Sequence, residues 1–226
     1  MKKEPAVIVF DLDGTLIKFK LNVNAAKLDI IRTLADMGVD VSGLSTQSGV
    51  QEMINTAVKQ LGDDMREDVK EKVLSIMRRY ELEASREAEA RDGVHKLLAL
   101  LKERGYKIAV ATNTHRAAAE EALRKTKLLE QVDALITREE VERLKPSGDL
   151  LRKVMKVFNA KPSEILFIGD SVHDAKAAKE VGVTFIGVEG GIHDGERLLQ
   201  NSAKTVIKQP LELMKILEQL STVTDF

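Results

Sequence analysis

The chain has 226 residues, of which 43% are hydrophobic and 31% charged, enough to form a substantial globular core. Its 35 basic and 36 acidic residues give a net charge of −1, which offers no general field for binding nucleic acid or an anionic membrane. Cysteine is absent, so disulfides, thiolate metal sites and cysteine nucleophiles are excluded.

The first predicted element is a buried strand at residues 6–10, too short for a signal peptide or a membrane span. We therefore expect a cytoplasmic protein. Similar apolar runs predict strands further along the chain, and helical patterns lie between them. The predicted strands are 107–111, 134–136, 165–168 and 183–188, and the predicted helices are 94–104, 116–125, 147–158 and 174–181. This alternation predicts an α/β protein with a parallel sheet.

The segment between residues 11 and 107 is far longer than the dozen or so residues that one crossover connection needs. Apolar residues within it recur at helical spacing, which predicts three or four helices. We therefore predict an inserted helical module at 17–89 and an α/β core formed by 1–16 and 90–226. Because the module leaves the core at the carboxyl end of the first strand, where such sheets bind ligands, we expect it to cover a site there.

Two carboxylates, Asp11 and Asp13, directly follow the first predicted strand. One carboxylate of such a pair can attack an electrophile while the other gives and takes a proton, and Gly14 permits a sharp turn beside them. An EF-hand calcium loop is the rival interpretation, but its glycine would be sixth, and its twelfth residue would be glutamate instead of Asn22. A plain carboxylate-rich turn is the other alternative.

A second acidic pair, Asp170 and Asp174, follows the predicted strand at 165–168. Asp170 comes directly after a glycine at the end of a buried strand and is a candidate ligand for a hard metal ion. Asp174 has a second interpretation, as the N-cap of the next helix.

Two further strand-end segments contribute polar groups. Thr112 and Asn113 end the strand 107–111 and offer a hydroxyl and backbone donors to an anion. Lys145 precedes Pro146, which suits the first position of the helix 147–158 and would place a cation at the mouth of that helix. Together these segments predict a site for a magnesium ion and a phosphate group at one edge of the sheet.

The four segments resemble the four motifs of the haloacid dehalogenase superfamily, in order and in spacing. They are Asp11-Leu-Asp13-Gly-Thr-Leu, Thr112-Asn113, Lys145-Pro146 and Gly169-Asp170-Ser171-Val-His-Asp174. The chain resembles phosphoglycolate phosphatases with a helical, C1-type cap, over nearly its whole length. The resemblance implies a Rossmann-like, three-layer core with a parallel sheet and an inserted α-helical cap.

The resemblance also implies a magnesium-dependent phosphatase acting on a small phosphorylated metabolite, such as a phosphoglycolate-like compound or a sugar phosphate. Asp11 would become phosphorylated and Asp13 would act as general acid and base. Thr112, Asn113 and Lys145 would bind the phosphoryl group. Asp11, Asp170 and the backbone carbonyl of Asp13 would bind Mg²⁺, and Asp174 would support the metal or Lys145.

Several alternatives stay open. A phosphomutase needs the same carboxylates and differs mainly in its phosphoryl acceptor, whereas a dehalogenase needs no acid at the position of Asp13. A signalling receiver domain would carry its acceptor on a later strand and lack a cap, and a non-catalytic phosphate-binding relative is the third alternative. The sequence leaves monomer and homodimer equally open.

Overall fold

The structure is a computed structural model that describes residues 5–18 and 21–222, the side chains of 220–222 excepted. Its centre is a sheet of six parallel strands in the order β3-β2-β1-β4-β5-β6. The strands are β1 (Val7–Phe10), β2 (Lys107–Ala111), β3 (Ala134–Ile136), β4 (Ile165–Gly169), β5 (Thr184–Val188) and β6 (Thr205–Ile207).

Nine α-helices lie in the described part of the chain. They are α1 (Val23–Asp36), α2 (Val50–Leu61), α3 (Arg66–Ser85), α4 (Val94–Glu103), α5 (Arg116–Lys125), α6 (Asp149–Phe158), α7 (Val172–Val181), α8 (Gly195–Gln200) and α9 (Leu213–Thr222). None of them is both long and apolar enough to cross a membrane.

The two faces of the sheet are covered by different helices, because successive residues of a strand point to opposite faces. Ile8 and Phe10 of β1 belong to one buried cluster, to which α4, α5 and α9 contribute. Val7 and Val9 belong to the other, together with residues of α6, α7 and α8. The predicted α/β, Rossmann-like arrangement of helices on both sides of a parallel sheet is confirmed.

The chain divides into two compact units, with boundaries between residues 19 and 20 and between residues 86 and 87. The smaller unit lies within the predicted helical module 17–89 and contains α1, α2 and α3. Its three helices share a separate apolar core, in which Leu34 of α1, Met53 of α2 and Val73 of α3 are buried. Such a core is what the three sets of helically spaced apolar residues require.

Two predicted helix starts are wrong. Helix α6 begins at Asp149, not at residue 147, so Pro146 lies before the helix and not at its first position. Helix α7 begins at Val172, not at residue 174. Its N-cap is Ser171, whose hydroxyl accepts a hydrogen bond from the Asp174 amide while the Asp174 carboxylate accepts one from the Ser171 amide. Asp174 is thus part of a capping box and is not the N-cap itself.

Candidate active site

The register of the sheet places three strand ends side by side. Phe10 pairs with Val110 of β2 and with Ile168 of β4, so the residues that follow these strands emerge at one edge. Asp11, Thr112 and Asp170 occupy these positions, and each is buried. The carboxyl ends of parallel strands are where open α/β sheets bind their ligands.

Lys145 lies at the centre of the acidic groups. Its ammonium is buried, forms an ion pair with Asp11, lies 2.7 Å from Asp174 Oδ1 and donates to the carbonyl of Ala111 at 3.1 Å. Burial lowers the pKa of Lys145, but the neighbouring carboxylates outweigh burial and hold it above its ordinary value. Lys145 is therefore a fixed positive charge at this edge of the sheet.

Asp11 has an unusually unfavourable environment for a negative charge. Burial raises its pKa well above the ordinary value, and Lys145 offsets only part of this. Three acidic neighbours raise the pKa further, namely Asp174, Asp170 and Asp13. A strongly perturbed carboxyl group beside a buried lysine is typical of a functional site.

Asp170 and Asp174 differ in the hydrogen bonds that their carboxylate oxygens accept. Asp170 Oδ2 accepts a hydrogen bond from the amide of Ile192 at 2.6 Å, and Oδ1 lies 3.4 Å from the hydroxyl of Thr15. Burial, and then the charge of Asp174, raise the pKa of Asp170 to about 6. Asp174 Oδ1 is buried and, apart from its ion contact with Lys145, has no hydrogen-bond partner in the described chain.

Two glycines make room for the Asp170 carboxylate. A Cβ atom on Gly14 would lie 2.3 Å from Asp170 Oδ2, and one on Gly191 would lie 2.0 Å from the same atom. Gly14 also has φ of +83°, a conformation that other residues rarely adopt. The loops after β1 and β5 can thus approach Asp170 only because both positions are glycine.

Asp13 is half-buried and joined to the loop that follows β2. The Thr114 hydroxyl donates to Asp13 Oδ2 at 2.6 Å, and the Thr114 amide donates to the Thr112 hydroxyl at 3.1 Å. Burial raises the pKa of Asp13, whereas the bond from Thr114 and the charge of Lys145 lower it, and the net pKa lies above the ordinary value. Asp13 and the hydroxyl of Thr112 are therefore linked through one residue.

The side chain of Asn113 contacts the backbone of Lys145 at two points. Its carbonyl oxygen accepts from the Lys145 amide at 2.9 Å, and its amide nitrogen donates to the Lys145 carbonyl at 3.1 Å. Asn113 thus fixes the segment that carries the buried ammonium. Its predicted contact with substrate stays a prediction.

The structure brings three acidic residues close together at the sheet edge. Oxygens of Asp11, Asp170 and Asp174 lie within 4.8 Å of one another, and all three residues are buried. When all are ionised, three carboxylates against one ammonium leave an excess of two negative charges. Buried carboxylate oxygens with excess negative charge are the donors that hard divalent cations such as Mg²⁺ prefer.

Among the described residues, two side chains that contribute to the site were not predicted. Thr114 is one, and Arg91 is the other: its half-buried guanidinium donates to the carbonyl of Gly14 and, at 2.5 Å, to the carbonyl of Glu189. Arg91 therefore ties the loop after β1 to the loop after β5. The sequence shows no motif for either residue, because their partners lie 77 to 101 positions away.

Comparisons with known proteins agree with this architecture. The chain is 26% identical to the pyrophosphatase PpaX of Bacillus mycoides, over 95% of this chain and 97% of that protein. A hydrolase from Pseudomonas syringae superposes with a TM-score of 0.71 at 25% identity, covering 95% and 99% of the two chains. A predicted phosphoglycolate phosphatase from Haemophilus somnus gives 0.66 at 21% identity, covering 95% and 98%, and shares the fold.

The fold and the site define an α/β protein with a polar, acidic site at the carboxyl edge of a parallel sheet. Residues 8–188 match the model of the haloacid dehalogenase-like hydrolases, and the chain belongs to that family. The match includes all four motif segments. The predicted superfamily, and with it the prediction of a hydrolytic enzyme, is confirmed.

Proposed function

We propose that the protein is a magnesium-dependent phosphatase that hydrolyses a small phosphorylated metabolite through an aspartyl-phosphate at Asp11. The observation that carries this proposal is the position of Asp11, buried at the end of β1 and ion-paired with Lys145, with Asp170 and Asp174 beside it. A carboxylate there can act as a nucleophile, and a lysine there can offset the charge of a phosphoryl group.

Asp11, Asp170 and the backbone carbonyl of Asp13 would hold Mg²⁺, with Asp174 supporting the metal or Lys145. The excess negative charge of the acidic cluster and the buried Asp174 Oδ1 fit this assignment. When bound, Mg²⁺ supplies positive charge that stabilises the transferring phosphoryl group.

The reaction takes place in two displacements. A carboxylate oxygen of Asp11 forms a bond to phosphorus, the bond to the leaving oxygen breaks, and Asp13 gives its proton to that oxygen. Asp13 then takes a proton from water, whose oxygen attacks phosphorus and releases Asp11 with inorganic phosphate. Thr112, Asn113 and Lys145 bind the phosphoryl oxygens throughout.

Inorganic pyrophosphate is a second candidate substrate, favoured by the similarity to PpaX over nearly the full length of both chains. In that reaction the leaving group is phosphate instead of an alcohol, and the roles of Asp11 and Asp13 are unchanged. A phosphomutase is the main alternative, because it would use the same residues and transfer the phosphoryl group to a sugar hydroxyl. We expect a cytoplasmic enzyme, monomeric or homodimeric.

The test is phosphate release from a panel that includes 4-nitrophenyl phosphate, phosphoglycolate, sugar phosphates and pyrophosphate, with Mg²⁺ or with a chelator. We expect Mg²⁺-dependent release by the wild type, and a loss of about 10⁴-fold or more in Asp11→Asn. Asp13→Asn should lose about 10²- to 10⁴-fold on esters with poor leaving groups. Isomerisation of a sugar phosphate without release of phosphate would contradict the hydrolase and favour the mutase.

A further inference from the structure

The contact between Thr114 and Asp13 joins two segments that lie far apart in the sequence. The hydroxyl donates to Asp13 Oδ2 at 2.6 Å, across a separation of 101 residues. This length lies within the range of about 2.5–2.7 Å that is typical of a charge-assisted bond from a hydroxyl to a carboxylate. Thr114 is not among the residues to which the proposed function gives a role.

The backbone of Thr114 is held on both sides. Its amide donates to the hydroxyl of Thr112, and the next residue, His115, is the N-cap of α5. The Nδ1 atom of His115 accepts from the amide of Ala117 at 3.1 Å and completes that cap. Since its neighbours are fixed in this way, the Thr114 hydroxyl has a defined position beside Asp13.

A hydroxyl suits a partner that changes its proton during a reaction. It can donate to a carboxylate and accept from a carboxylic acid, so the contact can persist in both forms of Asp13. A backbone amide or an ammonium can only donate and would favour the ionised form alone. The choice of threonine therefore favours an orienting role.

We propose that Thr114 is a positioning residue that holds the Asp13 carboxyl in the orientation for proton transfer to the leaving-group oxygen. This inference rests on the proposed function, because it assumes that Asp13 is the general acid. Thr114 would act through Asp13 and not by binding the phosphoryl group. Loss of the Thr114 hydroxyl should therefore lower kcat/KM more for a leaving group that needs a proton than for one that leaves without it.

The test compares kcat/KM for two esters, 4-nitrophenyl phosphate with a good leaving group and a simple alkyl phosphate with a poor one. In Thr114→Val, kcat/KM for the alkyl ester should fall about 10- to 100-fold and that for the aryl ester by less than about threefold. Thr114→Ser restores the hydroxyl and should stay within about threefold of the wild type for both esters. Thr126→Val, which removes a buried hydroxyl that bonds to the Ala122 carbonyl, is the matched control without this selectivity.

An equal loss for both esters in Thr114→Val, or no loss for either, would overturn the inference. Crystal structures of the wild type and Thr114→Val give a second readout, since the Asp13 side chain should leave its wild-type rotamer in the variant. An unchanged rotamer also overturns the inference.

The Asp13→Asn variant separates the two hypotheses. If its kcat/KM falls by the same factor for both esters, the proposed role of Asp13 fails, and the role of Thr114 fails with it. If the wild type releases no phosphate at all, the proposed function fails, while the rotamer still decides whether Thr114 orients Asp13.

Discussion

The two acidic loops of the site are held in different ways. After β1, the carboxylates of Asp11 and Asp13 contact side chains from other segments, namely Lys145 and Thr114. After β4, each carboxylate also accepts from a backbone amide, that of Asp170 from Ile192 and that of Asp174 from Ser171, in addition to the contacts with Thr15 and Lys145 described above. Both pairs lie at the same edge of one sheet.

Backbone partners and side-chain partners suit carboxylates with different chemical roles. Backbone amides are fixed donors that stabilise a carboxylate in one place, as a metal ligand requires. The Lys145 ammonium favours an ionised Asp11, as a nucleophile requires, and the Thr114 hydroxyl can bond to Asp13 with or without its proton, as an acid-base group requires. We therefore predict that changes around the first loop affect turnover and charge balance, and that a change of Asp170 in the second loop affects mainly metal affinity.

The largest expected effect on stability comes from Lys145, the partner of the first loop. In the metal-free protein, Lys145→Met leaves buried carboxylates without compensation and should lower the free energy of unfolding by about 3–5 kcal/mol at neutral pH. The folded-state pKa of Asp11 is already raised, and without Lys145 it rises further. The difference in stability between the wild type and Lys145→Met should therefore be smallest at pH 4, where Asp11 and Asp170 are protonated in both folded proteins, and grow as the pH rises through the raised folded-state pKa values of these two groups, about 6 for Asp170.

Urea unfolding at pH 4 to 8 in the presence of a chelator measures this dependence. Lys156→Met, at an exposed position of α6, is the matched control and should change stability by no more than about 0.5 kcal/mol. A penalty in Lys145→Met that does not vary with pH would contradict the assigned charge balance.

A smaller effect is expected at the second loop. Asp170→Asn removes a charged oxygen ligand and should weaken Mg²⁺ binding at least about 10- to 100-fold, the range seen for loss of an outer partner of a metal. Calorimetric titration of the metal-free protein measures this directly, with Glu196→Gln, an exposed residue of α8, as the charge-matched control. Turnover in Asp170→Asn should be largely restored by high Mg²⁺, whereas Asp11→Asn should stay inactive. Rescue of Asp11→Asn would erase the distinction between the loops.

The smallest effect is a dependence of Mg²⁺ binding on pH. The pKa of Asp170 is raised to about 6 in the metal-free protein, so below that pH the carboxyl must lose a proton before it can bind the cation. The proton of Asp170 alone should raise the apparent Kd by up to about tenfold for each pH unit below 6, and Asp11, whose pKa is also raised, adds a second proton to the dependence. The same titrations on Asp170→Asn should give a shallower slope, and an equal slope would assign the proton to another group.

Much of the core could be predicted because short, wholly buried strands produce continuous apolar runs that end at polar residues. Strands β2 and β3 have the predicted bounds, and the other predicted strands differ by one residue at an end. Strand β6 was missed because its apolar run is only two residues long, Val206 and Ile207, between the polar residues Thr205 and Lys208, whereas the equally short β3 is apolar throughout. The start of α7 was misplaced although Ser171 and Asp174 have the spacing of a capping box.

The site residues on strand ends were identified from their motifs, and their roles stay predictions. Their partners could not be identified in the same way. Thr114 and Arg91 contribute through contacts that depend on how distant loops meet, and the side chain of Asn113 reaches the Lys145 backbone across 32 residues. Local sequence constrains strands and caps, but contacts of this kind are set by the tertiary fold.

The central claim is that Asp11 becomes phosphorylated, and trapping the acyl-phosphate tests it most directly. The enzyme is incubated with substrate and Mg²⁺, quenched with acid and reduced with borohydride, which converts an acyl-phosphate to an alcohol, and the peptide containing residue 11 is analysed by mass spectrometry. We predict reduction at Asp11 in the wild type, dependent on substrate, and none in Asp11→Asn. Substrate turnover with an unmodified Asp11, or reduction at Asp13 or Asp170 instead, would contradict the account.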